Sequence, residues 1–452
     1  MAQSIFGPRK PIGGDGAHEQ DRTLRKTLSW PHLVALGVGA IVGTGIYTLT
    51  GVGADRAGPA VILAFAIAGA VCACAALAYA ELATMIPTSG SAYTYTYSVL
   101  GETLGWIVGW SLILEYSVAC SAVAVGWSAY LVGWLEAAGI HLPPLLLVGP
   151  HEGGIVNLPA VLVALTIAGM LMAGTRESAT FNILLVFIKL AALAVFVALT
   201  LPAFDSANLS PFMPYGFDAV ATSAEEAKNP GRDLKIGIIG SMLTATTIYM
   251  LVAFGAIGAI SYTVLADSAE PLAFVLRALD HPFAASAVAL AAIVALPSVI
   301  LVMMYGQSRI FFVMSRDGLL PRWASKVSPR TGSPVLITGM TGVFVAAFAG
   351  FFTIGDLAEL ANAGTLLAFI AVGACLMILR KTRPDLPRVF RCPQPYVVGT
   401  LAILGCAYLM ISLPEITLVR FLIWNAIGLV VYLLYGRTRS MLTRDILSVE
   451  RS

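Results

Sequence analysis

The chain has 452 residues, of which 58% are hydrophobic and only 12% are charged, and its mean hydropathy is +0.85. A soluble domain carries roughly 25% charged residues, so this composition excludes a soluble protein. The net charge of +2 gives no indication of nucleic-acid binding.

Eleven apolar runs follow one another along the chain, each close to the roughly 20 residues that a membrane-spanning helix needs. Barrel strands would be about 10 residues long with alternating polarity, so the runs predict helices. The sequence therefore predicts an all-α polytopic membrane protein. The runs cover 31–51, 59–86, 104–135, 155–174, 178–200, 236–261, 282–304, 334–352, 360–379, 396–413 and 417–435.

The first run contains "LGVGAIVGTGIY", residues 36–47, with four glycines at predicted mid-membrane depth. One interpretation is close helix packing through small residues. The other is an unwound segment whose free amides and half-helix N-terminus bind an anion, a geometry that glycine allows. Both interpretations stay open at this point.

The third and fifth runs each contain one ionisable side chain well inside the apolar stretch. Glu115, in "LILEYS", either lines a pocket near a substrate side chain or bonds a neighbouring helix. Glu81 and Glu102 lie near the ends of runs, where interface charges are expected.

Lys189 lies near the middle of the fifth run, where a charge costs roughly 2.5–3.5 kcal/mol on insertion scales. Burial lets a lysine titrate near physiological pH, so Lys189 is a candidate for coupling a proton to conformational change. The alternative is a structural lysine that bonds carbonyl groups of the first span.

Lys and Arg concentrate on the cytoplasmic side of membrane proteins. All 27 basic residues except Lys189, Arg56, Arg277 and Arg420 fall on one side if the runs alternate in direction and residues 201–228 add one further crossing. This predicts cytoplasmic termini in a multi-pass plasma-membrane protein, with tails at 1–28 and 439–452.

The same charges require residues 201–228 to return to the cytoplasm, although they are too short and too polar for a full span. We expect a half-helix from about Phe217, reached through the irregular "SPFMPYG". Extended backbone there must be surrounded by protein or line a wet cavity, because lipid cannot satisfy its amides. The prediction is eleven full spans plus one half-helix.

Five stretches together resemble the amino acid–polyamine–organocation superfamily, and within it the cationic amino acid transporter family and its bacterial members. The resemblance extends from about residue 25 to 438. The stretches are "GVGAIVGTGIYTLTG", "PTSGSAYTYTYSVLGE", "GWSLILEYSVACSAVAVGWSAY", "FDAVATSAEEAKNPGRDL" and "LVMMYGQSRIFFVMSRDGLLP".

The resemblance implies a 5+5 inverted-repeat (LeuT-like) fold with two additional C-terminal helices. The transporter domain would be 29–438, with repeats at about 29–200 and 205–380 and the last two spans at about 396–436. It further implies secondary active uptake of an amino acid, with a proton as the coupling ion and membrane lipid as the surroundings. The oligomeric state stays open.

The resemblance also implies site residues in the first span and at the start of the half-helix. Amides of Gly43, Thr44 and Gly45 match positions that receive the substrate carboxylate, and the carbonyl of Ile41 matches one that faces the ammonium. Phe217 and Asp218 match the second broken span, where Asp218 is a candidate gating or hydrogen-bonding residue. Lys189 matches the lysine at the cation position of proton-coupled relatives.

The chain departs from the family pattern directly before the predicted half-helix. Relatives carry a further apolar stretch between the "PFMPYG" and "FDA" portions, which forms the first half of span 6 and helps to hold the ammonium group. Here the two portions are joined directly. We therefore expect this chain to bind amino acid weakly or not at all. The alternative function is a transport-defective or truncated protein of the same fold with a regulatory or structural role.

No catalytic motif or cofactor-binding pattern is present, so we expect no enzyme activity and no cofactor. The five histidines are scattered without metal-ligand spacing, and the six cysteines are interpreted as small packing residues. The expected partners are an amino acid, protons and lipid, with no nucleic acid and no metal.

Overall fold

The computed structural model describes residues 3–4, 7–10, 38, 42–86, 90–174, 179–210, 233–266, 268–328, 331 and 333–442. Nearly all regular structure in these residues is helical, as the composition predicts. A departure from the all-α prediction lies at the N-terminus, where β1 (Gln3–Ser4) pairs antiparallel with β2 (Gly7–Pro8).

The helices follow in chain order. They are α1 (Thr44–Tyr47), α2 (Leu49–Ala57), α3 (Val61–Met85), α4 (Ser91–Val99), α5 (Glu102–Ala137), α6 (Leu158–Met172), α7 (Ala179–Thr200), α8 (Asp233–Ala259), α9 (Tyr262–Ala266), α10 (Pro271–Ala278), α11 (Pro282–Arg316), α12 (Val335–Phe351), α13 (Ile354–Thr382), α14 (Pro395–Ile411), α15 (Glu415–Val431) and, after a π-helical turn at Tyr432–Gly436, α16 (Arg437–Arg439).

Ten of the predicted runs coincide with helices of the described part of the chain, and the run at 31–51 is described only in part. Six helical stretches there are long and apolar enough to cross a membrane, and four shorter apolar helices lie between them. The protein is therefore polytopic. The number of crossings and the inverted repeat stay predictions.

α11 is much longer than the apolar run that predicts it. α11 continues to Arg316, whereas the predicted run ends at 304. Polar residues follow that run, but Gln307 is 1% exposed and its Nε2 donates to the carbonyl of Ile113 on α5 at 3.2 Å. Because the amide nitrogen of Gln307 finds acceptors on α5, the helix continues where hydropathy alone predicts its end.

The buried apolar side chains form two clusters. One contains residues of α3 to α5 together with α13 to α15. The other contains residues of α1, α2, α7, α8, α10 and α11. α5 contributes to both clusters along its 36 residues, which correspond to about 54 Å at 1.5 Å per residue. α5 therefore packs against both clusters and connects the two halves of the core.

Tryptophan side chains attach α15 to α5. The indole Nε1 of Trp110 donates to the carbonyl of Trp424 at 2.9 Å, and Trp424 Nε1 donates to the carbonyl of Trp110 at 2.9 Å. The two rings stack with centroids 5.0 Å apart. Trp106 Nε1 adds a bond of 2.8 Å to the carbonyl of Gly428. Apolar helices thus gain specific register through a few buried polar atoms.

Two carboxylates organise the end of the bundle predicted to be cytoplasmic. Asp317 accepts hydrogen bonds from Lys10 Nζ at 2.9 Å and from the Tyr93 hydroxyl at 2.8 Å. Glu102, 1% exposed, accepts from the hydroxyl groups of Tyr97 and Tyr432 at 2.8 and 3.0 Å and from that of Ser440. Segments from both chain termini therefore meet on the same face.

Candidate functional site

The glycine-rich first run is interrupted where the structure describes it. Val42 and Gly43 lie in a bend, α1 begins at Thr44, and the single residue Thr48 separates α1 from α2. Gly43 accepts backbone hydrogen bonds from Ile46 and Tyr47 at 3.2 and 3.3 Å. The chain is thus irregular at Gly43, as the unwound-segment interpretation predicts. Ile41 lies outside the described residues.

Gly45 lies in α1 directly against α8. A methyl group on Gly45 would collide with the hydroxyl of Tyr249. The Tyr249 ring also packs edge-on against Phe65 of α3, with centroids 5.4 Å apart. A side chain at position 45 would therefore force Tyr249 of α8 to shift, because α1 and α8 approach closely there. This packing reason for a glycine is separate from any binding by its backbone amide.

Lys189 is completely buried in α7. The hydroxyl of Tyr47, at the end of α1, donates to the backbone carbonyl of Lys189 at 3.4 Å. The structure therefore brings the interrupted segment and the buried lysine together. The role of Lys189 in proton coupling stays a prediction.

A tyrosine of α5 supports the interruption from the other side. The hydroxyl of Tyr130 donates to the carbonyl of Tyr47 at 2.5 Å, and the two rings meet edge-to-face with centroids 5.8 Å apart. The helix break at Thr48 leaves this carbonyl outside the helix hydrogen-bond pattern, and a buried carbonyl needs a partner. Sequence reasoning missed Tyr47 and Tyr130, because aromatic residues in apolar runs are ordinary packing residues.

Glu115 lies in a different interface, between α5 and α13. Its side chain is 8% exposed, and Oε1 accepts a hydrogen bond of 2.6 Å from the Thr365 hydroxyl. The backbone of Gly364 packs directly against its Cβ. Of the two roles predicted for Glu115, bonding to a neighbouring helix is observed, while contact with a substrate side chain stays a prediction.

Phe217 and Asp218 lie outside the described residues, as does the rest of the predicted half-helix. Of the site residues predicted from the sequence, the structure therefore places Gly43, Thr44 (by its backbone), Gly45, Lys189 and Glu115. It brings α1, α7 and α8 together. Glu115 lies instead in the contact between α5 and α13.

The two acidic residues predicted as interface charges connect separate segments. Glu81 on α3 is 1% exposed and accepts from Arg380 at 2.7 Å and from Arg388 at 3.1 Å. The backbone amide of Cys392 donates to the same carboxylate at 2.7 Å. A buried carboxylate is tolerated when it is paired and hydrogen-bonded in this way. Among the described residues, His, Cys, Asp and Glu side chains form no group of three that is arranged to hold a metal ion.

Helices that cross an apolar layer, together with an interrupted segment beside a buried lysine, are typical of membrane transport proteins. A family model described as amino acid permease matches residues 28–214 and 212–433. The chain belongs to this amino acid permease family.

Relatives of known name cover most of the chain. A branched-chain amino acid permease of Bacillus subtilis (strain 168) is 41% identical over 465 aligned positions, covering 98% of this chain and 100% of the relative. A methylthioribose transporter of the same organism is 38% identical, with 96% and 99% covered. The vacuolar cationic amino acid transporter 4 of Arabidopsis thaliana is 37% identical over 83% of this chain and 66% of its own length. The protein is thus similar to permeases and transporters, not to enzymes.

The family match is divided into two parts within the stretch 201–228, which is too short for a full span. Its two parts meet at residues 212–214. The alignment with the Bacillus permease spans 465 positions, more than the 452 residues of this chain, so that relative has residues without a counterpart here. The division of the family match agrees with the predicted lack of a family segment before Phe217, and the alignment length shows only that the relative has additional residues.

Proposed function

We propose that the protein is a proton-coupled secondary active transporter of a neutral amino acid in the plasma membrane. The observation that carries this proposal is the contact between the interrupted first span and the segment around Lys189, through the Tyr47 hydroxyl. A binding segment and a residue able to change charge must be adjacent if protonation is to alter the binding site.

Geometry around the carboxylates supports a neutral substrate. A cationic side chain needs an acidic partner in the pocket, since an unpaired charge is costly away from water. Glu81 is already paired with two arginines, and Oε1 of Glu115 accepts from Thr365 of α13. Similarity to a branched-chain amino acid permease favours the same choice.

The backbone amides of Gly43, Thr44 and Gly45 are proposed to bind the substrate carboxylate. Such amides and the positive N-terminal end of α1 favour an anion, although α1 itself has only four residues. Ile41, Phe217 and Asp218 complete the proposed site from the family pattern. Rocking of the helices around this point would expose it alternately to the two sides.

Uptake by the purified chain in proteoliposomes tests the proposal. We would impose a proton gradient and measure entry of radiolabelled isoleucine, arginine and methylthioribose, with and without an ionophore that collapses the gradient. A second variant would carry the Bacillus permease segment inserted before Phe217. Isoleucine uptake that depends on the gradient is expected in the insertion variant, with at most weak uptake by the parent chain.

The two variants separate activity from the effect of the missing segment. Equal uptake by both would show that the segment is dispensable. No uptake of any probe by the insertion variant would contradict the proposed function. Gradient-independent uptake would contradict proton coupling alone, and preference for arginine would contradict the neutral substrate.

A further inference from the structure

Five exposed basic side chains from two distant parts of the chain lie close together at the predicted cytoplasmic end. They form a surface here called the basic surface, which comprises Arg316, Arg322, Lys326, Arg437 and Arg439. The first three flank the turn after α11, and the last two belong to α16 after the final span.

Backbone contacts hold these two parts together. The amide of Met441 donates to the carbonyl of Asp317 at 3.1 Å, and Gly318 lies so close to the backbone of Arg439 that a side chain would not fit. The Ser315 hydroxyl donates to the carbonyl of Pro321 at 2.7 Å, which folds the segment after the turn back onto α11. The basic surface is therefore a fixed feature of the fold.

Its charges are not neutralised by the described part of the protein. None of the five side chains forms an ion pair with a carboxylate there. The nearby carboxylates are occupied, Asp317 by Lys10 and Tyr93 and Glu102 by three hydroxyl groups. An excess of positive charge thus faces outward.

Exposed apolar side chains beside the basic surface indicate its depth in the membrane. Leu434 in the π-helical turn is 77% exposed, and Arg437 follows it within one helical turn. Trp323, 40% exposed, lies between Arg322 and Lys326. Tryptophan is enriched at membrane interfaces. Exposed leucine next to exposed arginine indicates the boundary between the acyl chains and the headgroups.

We propose that the basic surface binds the headgroups of anionic phospholipids in the adjacent leaflet. Phosphate groups match the bidentate geometry of arginine, and each Lys or Arg near a charged membrane strengthens binding about fivefold. The flanking Leu434 and Trp323 favour a lipid over a soluble anion, because they place the cations at the depth where lipid phosphates lie. This property is independent of transport.

Binding of phosphatidylglycerol to the delipidated protein in neutral detergent tests this proposal. Native mass spectrometry would count bound lipid, and thermal unfolding would give the affinity from the stabilisation that added lipid produces. The variant Lys326→Gln/Arg437→Gln removes one charge from each part of the basic surface. Its matched control, Lys381→Gln/Arg391→Gln, removes two exposed charges on the same predicted side, one in the last turn of α13 and one in the connection to α14.

The affinity for phosphatidylglycerol is expected to fall about thirtyfold in the first variant, since two cations are lost, and to stay at the parent value in the control. Both variants should unfold at the parent temperature without lipid. Equal affinities in all three proteins, or equal losses in the two variants, would overturn the proposal. Stabilisation by glycerol phosphate or by phosphatidylcholine as large as that by phosphatidylglycerol would also overturn it.

Discussion

Tyr47 is the residue at which the interrupted span and the buried lysine meet. Its carbonyl accepts from Tyr130 and its hydroxyl donates to the carbonyl of Lys189. Leaving a buried acceptor unsatisfied costs roughly 1–3 kcal/mol, so the interruption depends on the hydroxyl of Tyr130. The chain can therefore expose backbone amides at Gly43 without leaving the carbonyl of Tyr47 unpartnered.

Replacement of Lys189 by methionine tests its role in coupling. Methionine keeps much of the length and apolar volume of lysine but cannot bind a proton. We expect Lys189→Met to abolish uptake driven by a proton gradient and to remove the pH dependence of uptake, with expression preserved. Transport would be measured in the parent and insertion backgrounds, with Lys381→Met as the control. Unchanged uptake with unchanged pH dependence would contradict the assignment.

The close approach of Gly45 to Tyr249 allows a double-mutant test. Gly45→Ala should lower the unfolding temperature in detergent, because overpacking typically costs about 1–3 kcal/mol. Tyr249→Phe removes the hydroxyl that the new methyl group would strike, so it should restore part of the loss. The single Tyr249→Phe variant completes the cycle. A double variant no more stable than the sum of the single effects would contradict this geometry.

At the scale of elements, the sequence predicted helices better than it predicted their ends. Ten apolar runs became helices because length and composition determine them. The extension of α11 to Arg316 could not be predicted, since it depends on Gln307 reaching a carbonyl of α5. The break at Thr48 is equally invisible in hydropathy, because Tyr130 is 83 residues from the carbonyl that it satisfies.

Glu270, at the start of α10, gives this connecting element a pH response. Its carboxylate accepts from Arg277 and lies against the backbone of Gly133. Burial raises the pKa of Glu270 above its ordinary value of 4.5, and Arg277 offsets this only in part. The folded protein therefore holds this proton more tightly than the unfolded chain. The resulting stabilisation is present below pH 4.5 and is lost as the pH rises through the raised pKa.

Glu270→Gln should consequently flatten the dependence of the unfolding temperature on pH above 4.5. Differential scanning fluorimetry of the purified protein measures the unfolding temperature as a function of pH. The range from about pH 4.5 to about pH 7.5 begins at the ordinary carboxyl pKa and extends above it. Glu415→Gln at the exposed start of α15 is the control and should leave the slope unchanged. A parent slope that survives in Glu270→Gln would locate the titrating group elsewhere.

At the scale of the whole molecule, membrane class and family were predictable, while the complete site was not. Five motifs in order are enough to indicate an amino acid permease, and the family match agrees. The site depends on contacts among α1, α7 and α8, of which the sequence indicated only Gly45 and Lys189. Glu115 shows the difficulty, since its position within an apolar run could not reveal that it faces Thr365.

Topology is a property of the whole chain, and the distribution of basic residues predicts it. A cysteine at Asp205 should react with an impermeant reagent from outside the cell, and one at Asn229 only from inside. The physical reason is that 201–228 must return across the membrane to keep the following charges cytoplasmic. Labelling intact cells and inverted vesicles, with the parent chain as the background control, measures both. Reaction of both positions from one side would contradict the half-crossing.

The three hydroxyl donors around Glu102 have a consequence for biosynthesis. Ser440 is synthesised 338 residues after Glu102, an interval of roughly 20–70 s at about 5–20 residues per second. Until Tyr432 and Ser440 emerge from the ribosome, the carboxylate has only Tyr97 of its native donors. The predicted cytoplasmic end is therefore completed last. A nascent chain interrupted before Tyr432 is therefore expected to keep a hydrated acidic group where the finished chain has a buried one.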